Sequence, residues 1–398
     1  MKVRTMRLVG VEPAVVEVES VAQPSALGLT ISGIPEPMRR DLGLRLRGAL
    51  VRHGVVDLGR EAGLDLRVAN GLGREAEAAL FVAALHACGV PVPEGLFVFG
   101  GLGQSGKLEH VRGIFGMAAA LPPGTTAIVP AFQAEHTAAA NPAATFLAAA
   151  TTGDIVAHLR GAAPAGVGQG AQAPKVMPYT ESFDDVAHFD PAIVAQVRAA
   201  AAAHKSLLLI GAEGSGRAML ARRVVAAMPE PSAAELATIN AIHSAANMLP
   251  DRGVLGGRPL RQPHHTISEV GLLGGGTPVI PGEVTLGHGG VLWLNDLPEY
   301  RRGALSLLAH SLKKGEHVVV RNDENHVLPA RPLLVGTAAS CPCQTTEALA
   351  NRPPGPHPCT CPPERVQAYH ARYDALRPCF DVVIHLPVVK PPAQRAAS

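Results

Sequence analysis

Gly211-Ala212-Glu213-Gly214-Ser215-Gly216-Arg217-Ala218 has the spacing of the phosphate loop G-x-x-x-x-G-K-[ST], but Arg217 and Ala218 stand where Lys and Ser/Thr are expected. In an intact loop the backbone N–H groups cradle phosphates, the Lys reaches the terminal phosphates, and the hydroxyl holds magnesium. Only the backbone part is kept unchanged here. Residues 206–210 read as a buried strand and 218–228 as a helix stopped by Pro229. Strand, glycine loop and helix in that order are the setting in which such a loop works. Upstream, residues 191–203 suit a helix with Asp190 as N-cap and Pro191 in its first turn.

Working outward, a second apolar strand, 291–294, follows Gly289-Gly290 and ends at Asn295-Asp296. P-loop ATPases carry Asp-Glu here, the Asp supporting magnesium and the Glu polarising the attacking water. Asn295 can hydrogen-bond a metal-bound water but brings no charge. Asp296, the remaining candidate base, is one methylene shorter than Glu and is withdrawn by about 1.5 Å. A displacement of about 1 Å can cost about a hundredfold in rate. Sliding the alignment by one makes Asp296 the magnesium ligand and leaves Leu297 in place of the base. Arg217 can neutralise phosphate charge, although its planar fork differs from the compact ammonium of Lys. Ala218 has nothing with which to ligate a metal.

The chain has 398 residues, enough for two or three domains, with 47% hydrophobic, 17% charged and 4% aromatic residues, so aliphatic side chains must fill the cores. A net charge of +2 is not the strongly basic footprint of a dedicated nucleic-acid binder, and any such contact needs a local patch. Glu12, Pro13, Glu17 and Glu19 break up the apolar N-terminus, and no run approaches the roughly 18 apolar residues of a membrane helix. A cytoplasmic protein without a membrane partner is expected. Residues 16–19, 29–34 and 127–129 read as short strands. Residues 37–53 read as an amphipathic helix, with Met38, Leu42, Leu46, Leu50 and Val51 on one face and Arg39, Arg40, Arg45, Arg47 and Arg52 elsewhere, a solvated face or a nucleic-acid face. The Gly/Ala/Pro-rich stretch 161–175 reads as a linker. The expected division is a first domain over 1–160, a linker over 161–182 and a second domain over 183–398.

Six cysteines in this length do not make a disulfide framework. Cys341-Pro342-Cys343 and Cys359-Thr360-Cys361 supply four thiols on two short loops, enough for a tetrahedral structural zinc, with His357 a spare ligand and reduced thiols without metal the alternative. Cys88 and Cys379 read as small packed residues.

Between the two strands lie Arg258-Pro259-Leu260-Arg261-Gln262-Pro263-His264-His265-Thr266, Gly274-Gly275-Gly276, and Pro281-Gly282-Glu283-Val284-Thr285-Leu286-Gly287-His288; Gly290 to Tyr300 continue the series. These blocks resemble, in order, those of the Mg-chelatase-like AAA+ family of YifB/ComM type: R-P-x-R-x-P-H-H-T, a Gly triplet, and P-G-E-x-x-L-x-H-x-G-V-L-F-L-D-E-L-P-E-F. Arg7 to Val11, Thr30 to Pro35, and Gly106-Lys107-Leu108 with Val111-Arg112-Gly113 resemble the family's N-terminal half. The resemblance implies an α/β protein: an N-terminal Lon-protease-like domain followed by a P-loop AAA+ core, assembled as a homo- or hetero-oligomeric ring, binding ATP and linked to DNA branch migration. It also implies that both cysteine pairs belong to the pattern.

The departures collect at catalytic positions. Besides Arg217, Ala218, Asn295 and Asp296, the family's sensor Asn aligns with Ala339, followed by Ser340, and its L-L-D-R-I-D is replaced by Leu376 to Asp381. The sequence ends at Ser398, ahead of the family's helical lid and sensor arginine, so the core is expected to lack the lid. Ala76-Glu77 stand where Lon-type peptidases carry Gly-Ser, and no Lys follows Gly113-Ile114, so no peptidase dyad is expected. Gly211, Gly214, Ser215, Gly216, Arg217, Ala218 and Asn295 are the expected nucleotide contacts. His264, His265 and His288 read as structural, and Arg321 as a surface arginine or one offered to a neighbouring subunit. The resulting expectation is a pseudo-ATPase whose magnesium dependence is weakened, acting as a regulatory or assembly subunit in DNA processing. The alternatives are an active ATP-driven branch-migration motor and a structural partner of an intact paralogue that binds no nucleotide.

Overall fold

The computed structural model describes residues 2–23, 29–33, 36–54, 63–68, 73–162, 166–167, 174–178, 181–184, 186, 189–321, 323–343 and 361–387. The chain forms two compact units, Met1–Val176 with Asn240–Val254, and Met177–Ile239 with Leu255–Ser398.

The first unit is built on strands β1 (Lys2–Val9), β2 (Glu12–Gln23), β3 (Leu29–Ser32), β4 (Gly63–Val68), β5 (Phe97–Val98), β6 (Thr126–Pro130), β7 (Thr145–Ala149) and β8 (Gly166–Val167), in the sheet order β8-β7-β6-β5-β1-β2-β4-β3. β1 and β2 form an antiparallel hairpin because Gly10, at φ 70, takes the left-handed conformation its tight turn needs. β5, β6 and β7 run parallel. β8 pairs with β7, so the expected linker contributes an edge strand. Against the sheet lie α1 (Glu36–Arg52) and α2 (Glu77–Ala87). In α2, Glu77 to Leu85 are all buried, as a helix apolar all round must be. α1 buries Leu42, Leu46, Ala49 and Leu50. Two expectations are corrected: Val51 is 57% exposed, and the Arg45 side chain turns inward to Glu77 instead of joining a surface arginine face.

The second unit carries helix α3 (Pro191–Ala202), started by Asp190 accepting from the Ala192 N–H. Its five-stranded sheet comprises β9 (Leu207–Gly211), β10 (Leu260–Arg261), β11 (Val291–Leu294), β12 (Leu333–Ala339) and β13 (Val382–Leu386), in the order β10-β11-β12-β9-β13. Every pairing is parallel. β9, β11 and β12 are buried throughout, the signature of a parallel sheet covered on both faces. Side chains alternate along each strand. Leu207, Leu209, Val291, Trp293 and Val335 therefore pack with α3 and α4 (Arg217–Arg223) on one face. Leu208, Ile210, Leu292, Leu294 and Leu334 pack with α5 (Arg302–Lys314), Tyr300 and Tyr373 on the other. The helix expected over 218–228 is α4 followed by a 3-10 turn, Val224–Ala227.

Candidate functional site: the edge of the parallel sheet

Parallel strands deliver all their C-terminal ends to one edge, and ligands of open α/β sheets bind there. The glycine loop follows β9, Asn295 and Asp296 follow β11, and Ala339 and Ser340 close β12 between them. The cavity of about 430 Å³ lined by His204, Lys313, Arg331 and Cys379 takes in the opposite, N-terminal strand ends at Ser206 and Leu333, and is separate from this edge.

The loop takes its shape from two glycines. Gly214 has φ 77 and Gly216 φ 79, and a Cβ on Gly216 would run into the Phe189 ring. Ser215 between them is 1% exposed, and its hydroxyl has no hydrogen-bond partner among the described residues. A buried hydroxyl without a partner costs about 1–3 kcal/mol, so this one is ready to meet a polar ligand atom. Gly211 starts the loop, and its carbonyl accepts from the Ser340 N–H at 3.2 Å.

Because β12 lies between β9 and β11, two strand spacings, about 10 Å, separate the loop's strand from the carboxylate's. Arg217 spans part of that distance: its Nη1 lies 3.8 Å from Asp296 Oδ1, beyond hydrogen-bond length, and although buried has no hydrogen-bond partner among the described residues. Ala218 follows in α4 with only a methyl group. Asn295 and Asp296 are fixed by a local network. Asn295 Nδ2 donates to Asp296 Oδ2 at 2.9 Å, Thr337 Oγ1 donates to Asn295 Oδ1 at 2.8 Å, and the Asp296 N–H donates to Thr337 Oγ1 at 3.0 Å. Asp296 sits at φ 53, ψ 59, left-handed backbone that Asp tolerates better than most residues. Its side chain is 41% exposed, while Leu297 is fully buried in the core.

Thr337 and Tyr369 are the residues that sequence reasoning missed. Thr337 is the lone hydroxyl in the apolar strand Leu333–Ala339, and that was its only signal. Tyr369 lies in α6 (Pro363–His370), and nothing in its spacing announces it. Burial pushes its hydroxyl upward, with the Glu299 and Asp296 charges adding, while the Ala339 backbone and Arg217 oppose.

The Sγ atoms of Cys341, Cys343 and Cys361 all lie within 4.8 Å of one another, with Cys341 and Cys343 3.2 Å apart. Tetrahedral zinc at Zn–S of about 2.3 Å sets its sulfurs about 3.8 Å apart, so this donor set fits that ion. Cys359, the expected fourth ligand, lies outside the described residues, as does His357. Cys88 is exposed just past the end of α2, not packed as expected, and Cys379 is half-buried.

The conspicuous block after residue 257 is internal fastening. Arg258 donates to Pro229 O, Gly289 O and Glu235, and Arg261 forms a two-bond pair with Glu283, both bonds 2.7 Å. His264 pairs with the Thr266 hydroxyl at 2.9 Å and stacks on His265, which meets Tyr300 edge-on. Burial and the Arg331 charge hold the His288 imidazole below its ordinary range. Arg321 closes an exposed strand, Glu316–Arg321, and donates to its neighbour's carbonyl, Val320 O. In the first unit, Glu77 opens α2 and is bound by Arg45 at 2.5 and 2.9 Å.

The family described as "Magnesium chelatase, subunit ChlI" matches residues 183–393. The "Uncharacterized protein YifB" of Escherichia coli is 33% identical over 192 residues, 48% of this chain and 36% of that protein. Its Salmonella typhimurium namesake is 28% identical over 407 residues, 98% of this chain and 76% of that protein. The "Competence protein ComM" of Haemophilus influenzae is 35% identical over 153 residues, 38% of this chain and 30% of that protein. The matched stretch thus spans only about a third of the Escherichia coli and Haemophilus relatives. No helix among the described residues is long and apolar enough to cross a membrane.

Proposed function

The chain belongs to the magnesium chelatase ChlI family, in its YifB/ComM-like group, and from that premise we propose that it binds ATP at the loop Gly211 to Ala218 and hydrolyses it weakly or not at all. The loop's left-handed glycines and the orphaned, buried Ser215 hydroxyl support phosphate binding. Gly211, Gly214, Ser215, Gly216 and Arg217 would hold the phosphates through backbone N–H groups, one hydroxyl and one guanidinium. ATP supplies a transferable phosphoryl group and the binding energy of its polyphosphate. Asn295 would orient the Asp296 carboxylate directly through its Nδ2–H, with Thr337 holding the Asn295 side chain and the Asp296 backbone.

The observation that carries the loss of hydrolysis is the Arg217–Asp296 approach at 3.8 Å. The carboxylate that follows β11 faces the loop's own guanidinium, so each offsets the charge the other would bring to the reaction. Ala218 leaves magnesium without its usual hydroxyl. Weak turnover with Asp296 as base is the second reading, favoured by the 41% exposure of its side chain.

Nucleotide-dependent assembly, as a homo- or hetero-oligomeric ring engaged in cytoplasmic DNA processing, is the role this site would serve; the name of the competence relative supports that setting. The first unit would be the Lon-protease-like half without peptidase chemistry, since Glu77 at the start of α2 is consumed by Arg45. Cys341, Cys343 and Cys361 would hold a structural zinc.

Titration of the purified chain with a fluorescent ATP analogue, paired with a phosphate-release assay, tests the reading. Saturable binding without turnover is expected. Turnover abolished by Asp296→Ala supports the motor. Absence of binding overturns the proposal in favour of a structural partner of an intact paralogue.

A further inference from the structure

The residue that follows β12 holds two structures at once. Ser340 donates its N–H to the Gly211 carbonyl at 3.2 Å, so the first residue of the glycine loop hangs on it. Its own carbonyl meets His370 Nε2 at 3.2 Å, at the far end of α6. His370 Nδ1 is 2.6 Å from the Tyr373 hydroxyl. A neutral imidazole satisfies both contacts, Nε2–H donating to Ser340 and Nδ1 accepting from Tyr373. The thiol cluster brackets this arrangement: Cys341, buried, is next in sequence to Ser340, and Cys361 stands two residues before α6 begins. Three thiols gathered within 4.8 Å therefore join the end of β12 to the start of the helix whose other end returns to Ser340. Among the described residues, two 3.2 Å hydrogen bonds fasten Ser340 to the loop and to α6.

We propose that a zinc ion bound by Cys341, Cys343 and Cys361 acts as a positioning clasp for the glycine loop, so that metal loading sets nucleotide affinity. The inference rests on the reading that the loop holds nucleotide. Each thiol releases its proton to solvent as its Zn–S bond forms; the metal keeps its oxidation state, and a chelator reverses the step. The clasp acts through Ser340 and contributes no atom to the nucleotide.

The test uses the full chain, with metal content, nucleotide affinity and backbone hydrogen exchange measured before and after chelation. About one zinc per chain is expected from a single tetrahedral site. Stripping should weaken binding of a fluorescent ATP analogue by at least about tenfold, speed exchange at the Ser340 amide, and leave the circular dichroism spectrum unchanged. Zinc, but not magnesium, should restore both. Cys343→Ser, at a half-buried position, should behave as the stripped protein does, which separates loss of the clasp from loss of the fold. A chain that takes up no zinc overturns the proposal, as does a loaded chain whose affinity and Ser340 exchange do not change on stripping. If the loaded wild type binds no nucleotide, the nucleotide reading falls by itself, and Ser340 exchange alone decides the clasp.

Discussion

Each unit pairs an arginine with a carboxylate where a helix begins, Glu77 opening α2 in the first and Arg217 opening α4 in the second, and the two pairs do opposite things. Arg45 and Glu77 are 9% and 3% exposed and fully engaged. Two bonds join them, the Leu102 N–H donates to Glu77 at 2.7 Å, and Arg45 also reaches Asp41 and the Leu102 carbonyl. Arg217 and Asp296 approach only to 3.8 Å, Asp296 is 41% exposed, and Arg217 Nη1 has no hydrogen-bond partner among the described residues. A saturated pair is committed to the fold. An unsaturated pair keeps the capacity to meet a ligand, and its residue types alone do not show which kind it is.

Removing one member of each pair should break or confirm that contrast most sharply. Glu77→Ala removes the buried counter-charge of Arg45 and leaves the guanidinium only the exposed Asp41, so it should cost about 3 kcal/mol in denaturant unfolding of the first unit. Asp296→Ala should change stability by no more than about 1 kcal/mol, as expected of a partly exposed pair. Equal losses would sink the distinction. Restoring the loop chemistry comes next. The double substitution Arg217→Lys with Ala218→Thr should raise phosphate release at least about tenfold, equivalent to about 1.4 kcal/mol of barrier. An unchanged rate would place the defect at Asn295 and Asp296 instead. A smaller effect is expected from Asp296→Asn, which frees Arg217 from its counter-charge. ATP should bind about two- to fivefold tighter by isothermal titration, in keeping with the modest worth of an exposed pair.

The smallest effect concerns a third arginine pair, intermediate between the two. Glu235 is lowered to about 2 because Arg258 hydrogen-bonds it, with the Ser232 backbone and hydroxyl adding. A depressed carboxylate favours the native charged form. Its contribution is therefore full above the unfolded value near 4.3 and is lost as pH falls through about 2. The Glu235 side chain is 43% exposed, so solvent screening limits its contribution to about 1 kcal/mol. Glu235→Gln should lower the melting temperature at neutral pH, and the difference should fade as the pH falls through about 2.

Part of the second unit was legible in the sequence alone. The apolar runs read at 206–210 and 291–294 are continuous because both faces of a parallel sheet are covered, and the glycine loop announces the turn after the first of them; the strand Leu333–Ala339 between them was not read from the sequence. The helix boundaries at Asp190 and Pro191 follow from capping chemistry. The reading went astray where side-chain direction decided the outcome. Helical periodicity placed Val51 on the buried face of α1 and Arg45 among the solvated arginines, because it counts positions and does not see that Glu77 lies within reach. Cys88 was assigned to packing by residue type, yet the helix ends just before it and leaves it in solvent. Thr337 and Tyr369 escaped notice because their relation to Asp296 crosses 41 and 73 residues of chain.

The sequence by itself determined the identity of the groups at the sheet edge: an arginine and a methyl where a lysine and a hydroxyl would serve, an amide and a short carboxylate where two carboxylates would, and paired thiols nearby. Local chemistry and spacing carry that information. Tertiary structure alone decided which groups meet. The order β10-β11-β12-β9-β13 inserts one strand between the loop and the carboxylate, so only a side chain as long as Arg217 can approach Asp296. It also brings Ser340 onto Gly211 and three thiols together beside it. Strand order is a long-range choice made by burying apolar surface across the whole sheet, and no local stretch of sequence encodes it.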